Sequence, residues 1–152
     1  MGLDQFLYAK KYVSEHFNND GQFETLVKAL GSEVIHLHPH NPSISVEIKV
    51  GQWRKANAIH KWFVDNCQDG HDDCRLAYVD RDKLTGLLGL CKQVIADPSK
   101  AQKLLPAVDG FFFGSTDYDE WYFSGIKETV GMLEKCLATD GMQWEFYYSS
   151  SW

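Results

Sequence analysis

The chain has 152 residues, a formal net charge of −6 and a hydrophobic fraction of 44%. This length suits a single domain, residues 1–152, with a substantial core. The acidic balance argues against bulk nucleic-acid binding, which needs clustered lysine and arginine to displace counterions from phosphates. No stretch approaches the length of a transmembrane helix, and no apolar signal segment opens the chain. We therefore expect a cytoplasmic protein without a membrane partner and with reduced cysteines.

The first third of the chain predicts strands around one helix. Residues 3–13 are rich in aromatic and branched side chains, which are typical of a strand. Apolar residues at helical spacing predict a helix over 23–30, with Gly31 as its C-cap. A short strand is expected at 33–38. Residues 44–50 alternate apolar and polar side chains, so they predict a half-buried strand that leads directly into the next helix.

The central stretch, residues 53–66, predicts an amphipathic helix. At about 100° per residue, Ile59 and Phe63 lie on one apolar side, and His60 and Asn57 lie within the same arc. A buried polar group without a partner costs about 1–3 kcal/mol, so both side chains need partners from elsewhere in the chain. Two interpretations follow: a satisfied polar network in the core, or the floor of a ligand site.

The next segment predicts a strand and two helices. Residues 75–79 favour a strand, and Asp80 is placed to cap a helix whose apolar face continues to Ile95. Asp97 and Pro98 are typical of a second helix start.

The last third predicts a core crossing, a long helix and a strand. Residues 110–114 are apolar enough to cross the core, and Asp117 with Glu120 resembles a capping box before a helix that ends near Leu137. Residues 142–148 alternate as a final strand. Because strands and helices do not alternate regularly, we predict an α+β fold: a single compact domain with a mostly antiparallel sheet packed against three or four helices.

The run from 115 to 123 combines acidic and aromatic side chains. Its carboxylates suit helix capping, but one of them could instead pair with His60 or Arg54 across the domain. The candidate acid–base set is His60 with Asp117, Asp119 and Glu120. We expect the segment 111–123 to form a wall of the pocket that contains His60. The candidate ligand-binding residues are Trp53, Arg54, Asn57, His60, Asp117, Tyr118, Asp119 and Trp121.

Two groups of histidine and cysteine residues are candidates for metal sites. His36, His38 and His40 would share a face of a strand, but Pro39 disturbs that geometry, so an exposed loop is expected. Cys67, His71 and Cys74 lack the tight pairing of structural zinc ligands and lie in an acidic loop, so a solvated loop is expected there as well. We expect no metal ion and no other cofactor.

Three stretches resemble a group of small bacteriophage proteins. They are M-G-L-D-Q-F-L-Y at the start, W-R-K-A-N-A-I-H-K-W-F-V followed by D-N-C-Q-D-G, and G-F-F-F-G-S-T-D-Y-D-E-W-Y. The resemblance implies a phage protein made in the cytoplasm of an infected bacterium, and it supplies no mechanism. Some members carry the name phosphoglycerate kinase, which does not suit a chain too short for a two-domain kinase and without a phosphate-binding loop.

Two functions remain open at this point. The first is a non-catalytic accessory protein that binds a host protein or a small polar ligand, for host takeover or counter-defence. The second is a small hydrolase or transferase that uses His60 with an acid from 117–120. The sequence favours the first, because it contains no catalytic signature, and it leaves the oligomeric state open.

Overall fold

The computed structural model describes residues 2–16, 21–31, 40, 42–110, 113–139 and 143–152. The strands are β1 (Asp4–Ser14), β2 (Ser43–Arg54), β3 (Ala77–Val79) and β4 (Glu145–Ser151). The α-helices are α1 (Gln22–Leu30), α2 (Asn57–Cys67), α3 (Arg81–Ala96), α4 (Ala101–Leu104) and α5 (Glu120–Leu137). A 3-10 turn, Pro98–Lys100, precedes α4.

The described strands form one antiparallel sheet in the order β2-β1-β4-β3. The first strand is therefore central, with β2 on one side and the last strand on the other. Five α-helices accompany this sheet in the described residues, so the predicted α+β class is confirmed. No helix in the described part of the chain is long and apolar enough to cross a membrane.

One face of the sheet is the floor of the core. Side chains of successive strand residues point to opposite faces of the sheet, so alternate residues such as Leu7 and Phe146 are buried on this face. The helices cover this face, and the ring of Phe63 on α2 stacks on Tyr148 of β4 with centroids 4.0 Å apart. Burying each such side chain contributes about 1.5–3 kcal/mol.

The other face of the sheet carries a row of tyrosines. Tyr8 pairs with Tyr147, and Tyr147 pairs with Tyr78, so three rings lie in register across three adjacent strands. Lys49 on β2 is the partner of Tyr8 on the other side. This face is at least partly exposed, because Tyr78 keeps 53% of its surface in solvent.

The helix predicted at 53–66 begins four residues later than predicted. Trp53 and Arg54 belong to β2, where they pair with Gln5 and Asp4 of β1. The apolar pattern runs without a break from strand into helix, so spacing alone could not place the boundary. Lys55 makes the turn between them, with a φ of 57°.

The capping box predicted at Asp117 and Glu120 is wrong. Asp119 is the N-cap of α5 and its Oδ1 accepts the Tyr122 N–H at 3.0 Å. Asp117 instead takes part in a small turn, since its N–H donates to Ser115 Oγ at 3.0 Å. The predicted caps at Asp80 and Asp97 are confirmed, because each carboxylate accepts the N–H two residues on.

The other boundaries agree with the predictions to within a few residues. Gly31 closes α1 with a φ of 59°, as predicted for a left-handed C-cap. The predicted strand at 33–38 and part of the core crossing, residues 111–112, lie outside the described residues.

Candidate functional site

A groove lies between the end of β2, the start of α2 and the first half of α5. Its volume is about 680 Å³, which is within the range of small-molecule sites. One wall is residues 52–59 and the other runs from 114 to 128. We call it the tryptophan groove, after Trp53 in its floor and Trp121 at its rim.

The turn from β2 to α2 shapes one wall of the tryptophan groove. The Lys55 N–H donates to the Leu3 carbonyl at 2.8 Å, and the Asn57 N–H donates to the Lys55 carbonyl at 3.0 Å. Gly114, with a φ of 92°, faces this turn from the opposite wall. A Cβ at Gly114 would lie 3.1 Å from the Lys55 Cβ, so the close approach of the two segments requires glycine.

Asn57 ties the opposite wall of the groove to α2. Its Nδ2 donates to the Ser115 carbonyl at 2.8 Å and to the Phe113 carbonyl at 3.3 Å, and its Oδ1 accepts the Val108 N–H at 3.2 Å. The side chain is 4% exposed. These bonds hold an irregular segment whose backbone would otherwise lack partners.

The floor of the groove is held by Trp53. Its indole Nε1 donates to Thr129 Oγ1 on α5 at 2.8 Å, and Thr129 Oγ1 donates to the Gly125 carbonyl at 2.7 Å. Trp53 is 3% exposed, so only part of its ring reaches the groove. This contact fixes the distance between β2 and α5.

The two walls carry opposite charges. Arg54 and Lys55 line the strand side, while Asp117, Asp119 and Glu128 line the helix side. The Trp121 ring lies at the rim with 85% of its surface exposed, although large aromatic side chains are usually well buried. The groove therefore offers cationic, anionic and aromatic contacts to a ligand.

His60 lies behind this groove and belongs to a buried hydrogen-bond chain. Its Nε2 is 2.8 Å from Asp72 Oδ2, and its Nδ1 is 2.8 Å from the Tyr148 hydroxyl. The Tyr148 hydroxyl is also 3.3 Å from Gln5 Oε1, and Gln5 Nε2 donates to the Ala56 carbonyl at 3.2 Å. This hydrogen-bond chain links β4 and β1 to Ala56 and His60, at the first turn of α2.

This hydrogen-bond chain gives both ring nitrogens of His60 a partner. In the Nε2–H tautomer, Nε2–H donates to Asp72 and Nδ1 accepts from the Tyr148 hydroxyl. Burial and the Asp72 carboxylate hold the pKa of Tyr148 well above its ordinary value, so its hydroxyl stays protonated.

His60 also supports the loop that forms the groove wall. Its ring packs edge-on against Phe113, with centroids 5.1 Å apart. On the other side Phe113 contacts Trp152, whose Nε1 donates to Asp72 Oδ1 at 3.0 Å. These contacts enclose the imidazole, which is 1% exposed.

The structure brings most of the predicted ligand-binding residues to one place. Six of the eight line the tryptophan groove, namely Trp53, Arg54, Asn57, Asp117, Asp119 and Trp121. Neither His60 nor Tyr118 lines it; the Tyr118 hydroxyl accepts the Ala107 N–H at 3.3 Å. The sequence did not predict Lys55 and Glu128 as lining residues. The strand-to-helix turn brings Lys55 to the groove, and the length of α5 brings Glu128 there.

The predicted pairing of His60 with an acid from 117–120 is wrong. Asp72, from the acidic loop after α2, takes that position. The carboxylates of Asp117 and Asp119 are bonded within their own turn, to the Ser115 hydroxyl and the Tyr122 N–H. Their position near a helix start was the stronger signal: Asp119 caps α5, and Asp117 takes part in the turn before it.

Two of the cysteine thiols, those of Cys67 and Cys91, are unsuited to nucleophilic chemistry. Burial raises the pKa of Cys67 to about 11 and that of Cys91 to about 12, so both are protonated near neutrality. The described residues contain no cluster of three metal-binding side chains, and Cys67, His71 and Cys74 do not form one. His40 is exposed, while His36 and His38 lie outside the described residues.

Comparisons with known proteins add no family to this geometry. No protein-family profile, curated protein or solved structure matches the chain.

Proposed function

We propose that the protein is a non-catalytic binding protein and that the tryptophan groove binds a small polar ligand. The observation that carries the proposal is Trp121, a ring 85% exposed at the rim of a groove whose walls have opposite charges. An exposed indole beside convergent polar groups is typical of a recognition surface, where it supplies a large contact area with little loss of side-chain freedom.

The shape of the groove favours a small ligand over a flat protein surface. A volume of about 680 Å³ can enclose a molecule of metabolite size, and Asn57 with Trp53 fixes both walls before binding. A site organised in advance loses less free energy on binding. Arg54 and Lys55 suit an anionic group on the ligand, and the carboxylates of Asp119 and Glu128 suit a cationic or hydroxyl group.

The enzyme hypothesis rests on the Asp72–His60–Tyr148 chain, whose geometry resembles a catalytic relay. A general base must reach the proton that it removes. Both ring nitrogens of His60 have partners within the protein, and the ring is 1% exposed. These contacts favour a positioning role, in which the chain holds the groove wall through Phe113.

The setting of this binding activity is a proposal as well. The resemblance to phage proteins supports action in the host cytoplasm, where a protein that captures a polar metabolite could serve host takeover or counter-defence. Binding a host protein through the same groove is the competing form of this function.

The test is a comparison of molecules retained from a bacterial lysate. The wild type, Trp121→Ala and Arg54→Gln are incubated with lysate, washed and analysed by mass spectrometry for small molecules and for proteins. We expect the wild type to retain a polar metabolite that both variants lose, since removing one important contact weakens binding about 5–100-fold. Leu30→Ala, which also removes an exposed apolar side chain, is the matched control and should retain it.

The outcomes separate the alternatives. A metabolite retained equally by Trp121→Ala would refute the groove as its site. A retained protein that Trp121→Ala loses, without a metabolite, would favour the host-protein form. A metabolite converted by the wild type but not by His60→Gln would restore the enzyme hypothesis.

A further inference from the structure

A second cleft lies at the opposite end of β1 from the tryptophan groove. It has a volume of about 440 Å³ and lies between residues 10–12 of β1, residues 78–81 from the end of β3 to the start of α3, and residues 143–146. It shares no lining residue with the tryptophan groove. We call it the lysine cleft.

Two cations in the lysine cleft are held by neutral partners. Lys11 Nζ donates to the side-chain amide oxygens of Gln22 and Gln143. Arg81 donates to the main-chain carbonyls of Leu137 at 2.7 Å and Thr139 at 3.0 Å. These bonds position both cations, and neither bond partner carries a formal negative charge.

None of the ion pairs among the described residues involves Lys11 or Arg81. The third cation of the cleft, Lys10, is paired with Glu47 at 2.8 Å. Two cleft cations without a carboxylate partner among the described residues are unusual in a chain with a formal charge of −6, where acidic side chains are abundant. A cleft with low-dielectric walls concentrates this charge toward an anion.

The carboxylates of the cleft have partners inside the protein. Asp80 Oδ1 accepts the Asp82 N–H at 2.8 Å as the N-cap of α3. Glu145 Oε2 accepts the Tyr147 hydroxyl at 2.9 Å. Neither of these contacts involves Lys11 or Arg81, so the carboxylates do not fill the bonding positions that an anion would take.

Two exposed rings stand at the rim of the cleft. Tyr12 is 61% exposed and Tyr78 is 53% exposed. Tyr78 is held edge-on against Tyr147, with centroids 5.6 Å apart, so its position is fixed before binding. An exposed tyrosine face beside cations is the combination that stacks on a nucleobase while the cations hold the attached phosphate.

We propose that the lysine cleft binds a small phosphorylated ligand with a planar ring, of the nucleoside monophosphate class. Lys11 and Arg81 bind the phosphate through charge-assisted hydrogen bonds, and Tyr78 stacks on the base. The site is independent of the tryptophan groove and of the ligand proposed there. A cleft of about 440 Å³ suits a single nucleotide better than a long strand, in keeping with the acidic charge of the whole chain.

The experiment is isothermal titration of the full chain with AMP, adenosine and ribose 5-phosphate. We expect AMP to bind more tightly than either fragment, because only AMP engages both the cations and the rings. Lys11→Gln should weaken AMP and ribose 5-phosphate about 10-fold and leave adenosine unchanged. Tyr78→Ala should weaken AMP and adenosine and leave ribose 5-phosphate unchanged. Lys103→Gln removes an exposed charge elsewhere and is the matched control.

Three results would overturn the proposal. AMP that fails to bind at millimolar concentration would exclude the site. Binding no tighter than that of ribose 5-phosphate would remove the role of the rings. An affinity for AMP that is unchanged in Lys11→Gln would remove the role of the cation. If Lys11→Gln does not fold, two measurements still decide the question. They are the affinities of the wild type for AMP and its two fragments, and the affinity of Tyr78→Ala, which alters an exposed side chain, for AMP.

Discussion

Replacing His60 by alanine tests whether the buried chain behind the groove is structural. The substitution removes the partner of the Tyr148 hydroxyl, which is fully buried and keeps only the longer contact to Gln5, at 3.3 Å. A buried polar group left without a good partner costs about 1–3 kcal/mol. Asp72 is 28% exposed, so water can replace the imidazole there at little cost.

The cavity adds to this loss. The imidazole packs against Phe113 at 5.1 Å, and truncating a buried side chain of similar size to alanine costs about 2–5 kcal/mol, including its transfer term. Since the two costs overlap in part, we expect His60→Ala to lower the free energy of unfolding by about 3–5 kcal/mol. That is a large share of the roughly 5–15 kcal/mol of a typical domain.

Urea unfolding monitored by tryptophan fluorescence measures this loss. His71→Ala, which truncates an exposed histidine of the neighbouring loop, is the control and should stay within about 0.5 kcal/mol of the wild type. A double-mutant cycle of His60→Ala with Tyr148→Phe should give a coupling of about 0.5–3 kcal/mol. A loss below about 1 kcal/mol in His60→Ala would show that the buried chain does not stabilise the fold.

Four further outcomes are expected. Asn57→Ala should lower the free energy of unfolding by about 2–4 kcal/mol in urea, because the loop over α2 loses three bonds to one side chain. Gly114→Ala should cost about 1–3 kcal/mol, while Gly86→Ala, in open space inside α3, should stabilise by about 0.5–1 kcal/mol; equal effects would contradict the close approach described above. Burial raises the pKa of the Cys91 thiol from 9.0 to about 12, so the unfolded chain releases this proton first and stability should fall as pH rises above 9.0. Cys91→Ala should flatten that part of the stability curve, and an unchanged slope would refute the assignment. EDTA should leave the melting temperature unchanged, whereas one zinc per chain in elemental analysis, lost in Cys74→Ser, would contradict the expectation of a metal-free protein.

Burial of the central helix could be predicted from sequence, but its partners could not. The angle between Asn57 and His60 is the same whether the helix begins at residue 53 or at Asn57, so the error in the boundary did not affect the prediction that they face inward. Both are buried, at 4% and 1% exposure. Trp53 is buried in either structure as well, and only its pairing with Gln5 places it in a strand.

The choice of acid for His60 depends on tertiary structure. Asp72 and Asp117 are both carboxylates in polar loops, and nothing in their local sequence distinguishes them as partners of a buried histidine. A capping signal was present at 117–120, and that signal describes the role that Asp119 has. The sequence therefore predicted that a partner exists, while the path of the loop after α2 decided which residue it is.

The lysine cleft had no sequence signal. Lys11, Arg81 and Gln143 come from three distant segments, and they meet because β4 lies between β1 and β3 in the sheet. Periodicity predicted both strands but not their pairing.

The central position of β1 has a consequence for how the protein is made. Its first partner, β2, is synthesised soon after it, but its second partner is β4, and Asp4 pairs with Ser151. Such distant pairing is slow to form, because a long loop must close before any contact rewards it. During synthesis β1 and β2 can pair while the other edge of β1 remains open, and an open edge of this kind can pair with other chains. We expect aggregation in the cell to depend on how soon the last strand emerges from the ribosome. Slowing translation just before residue 145 should therefore lower the soluble yield. The stability of the purified protein should not change.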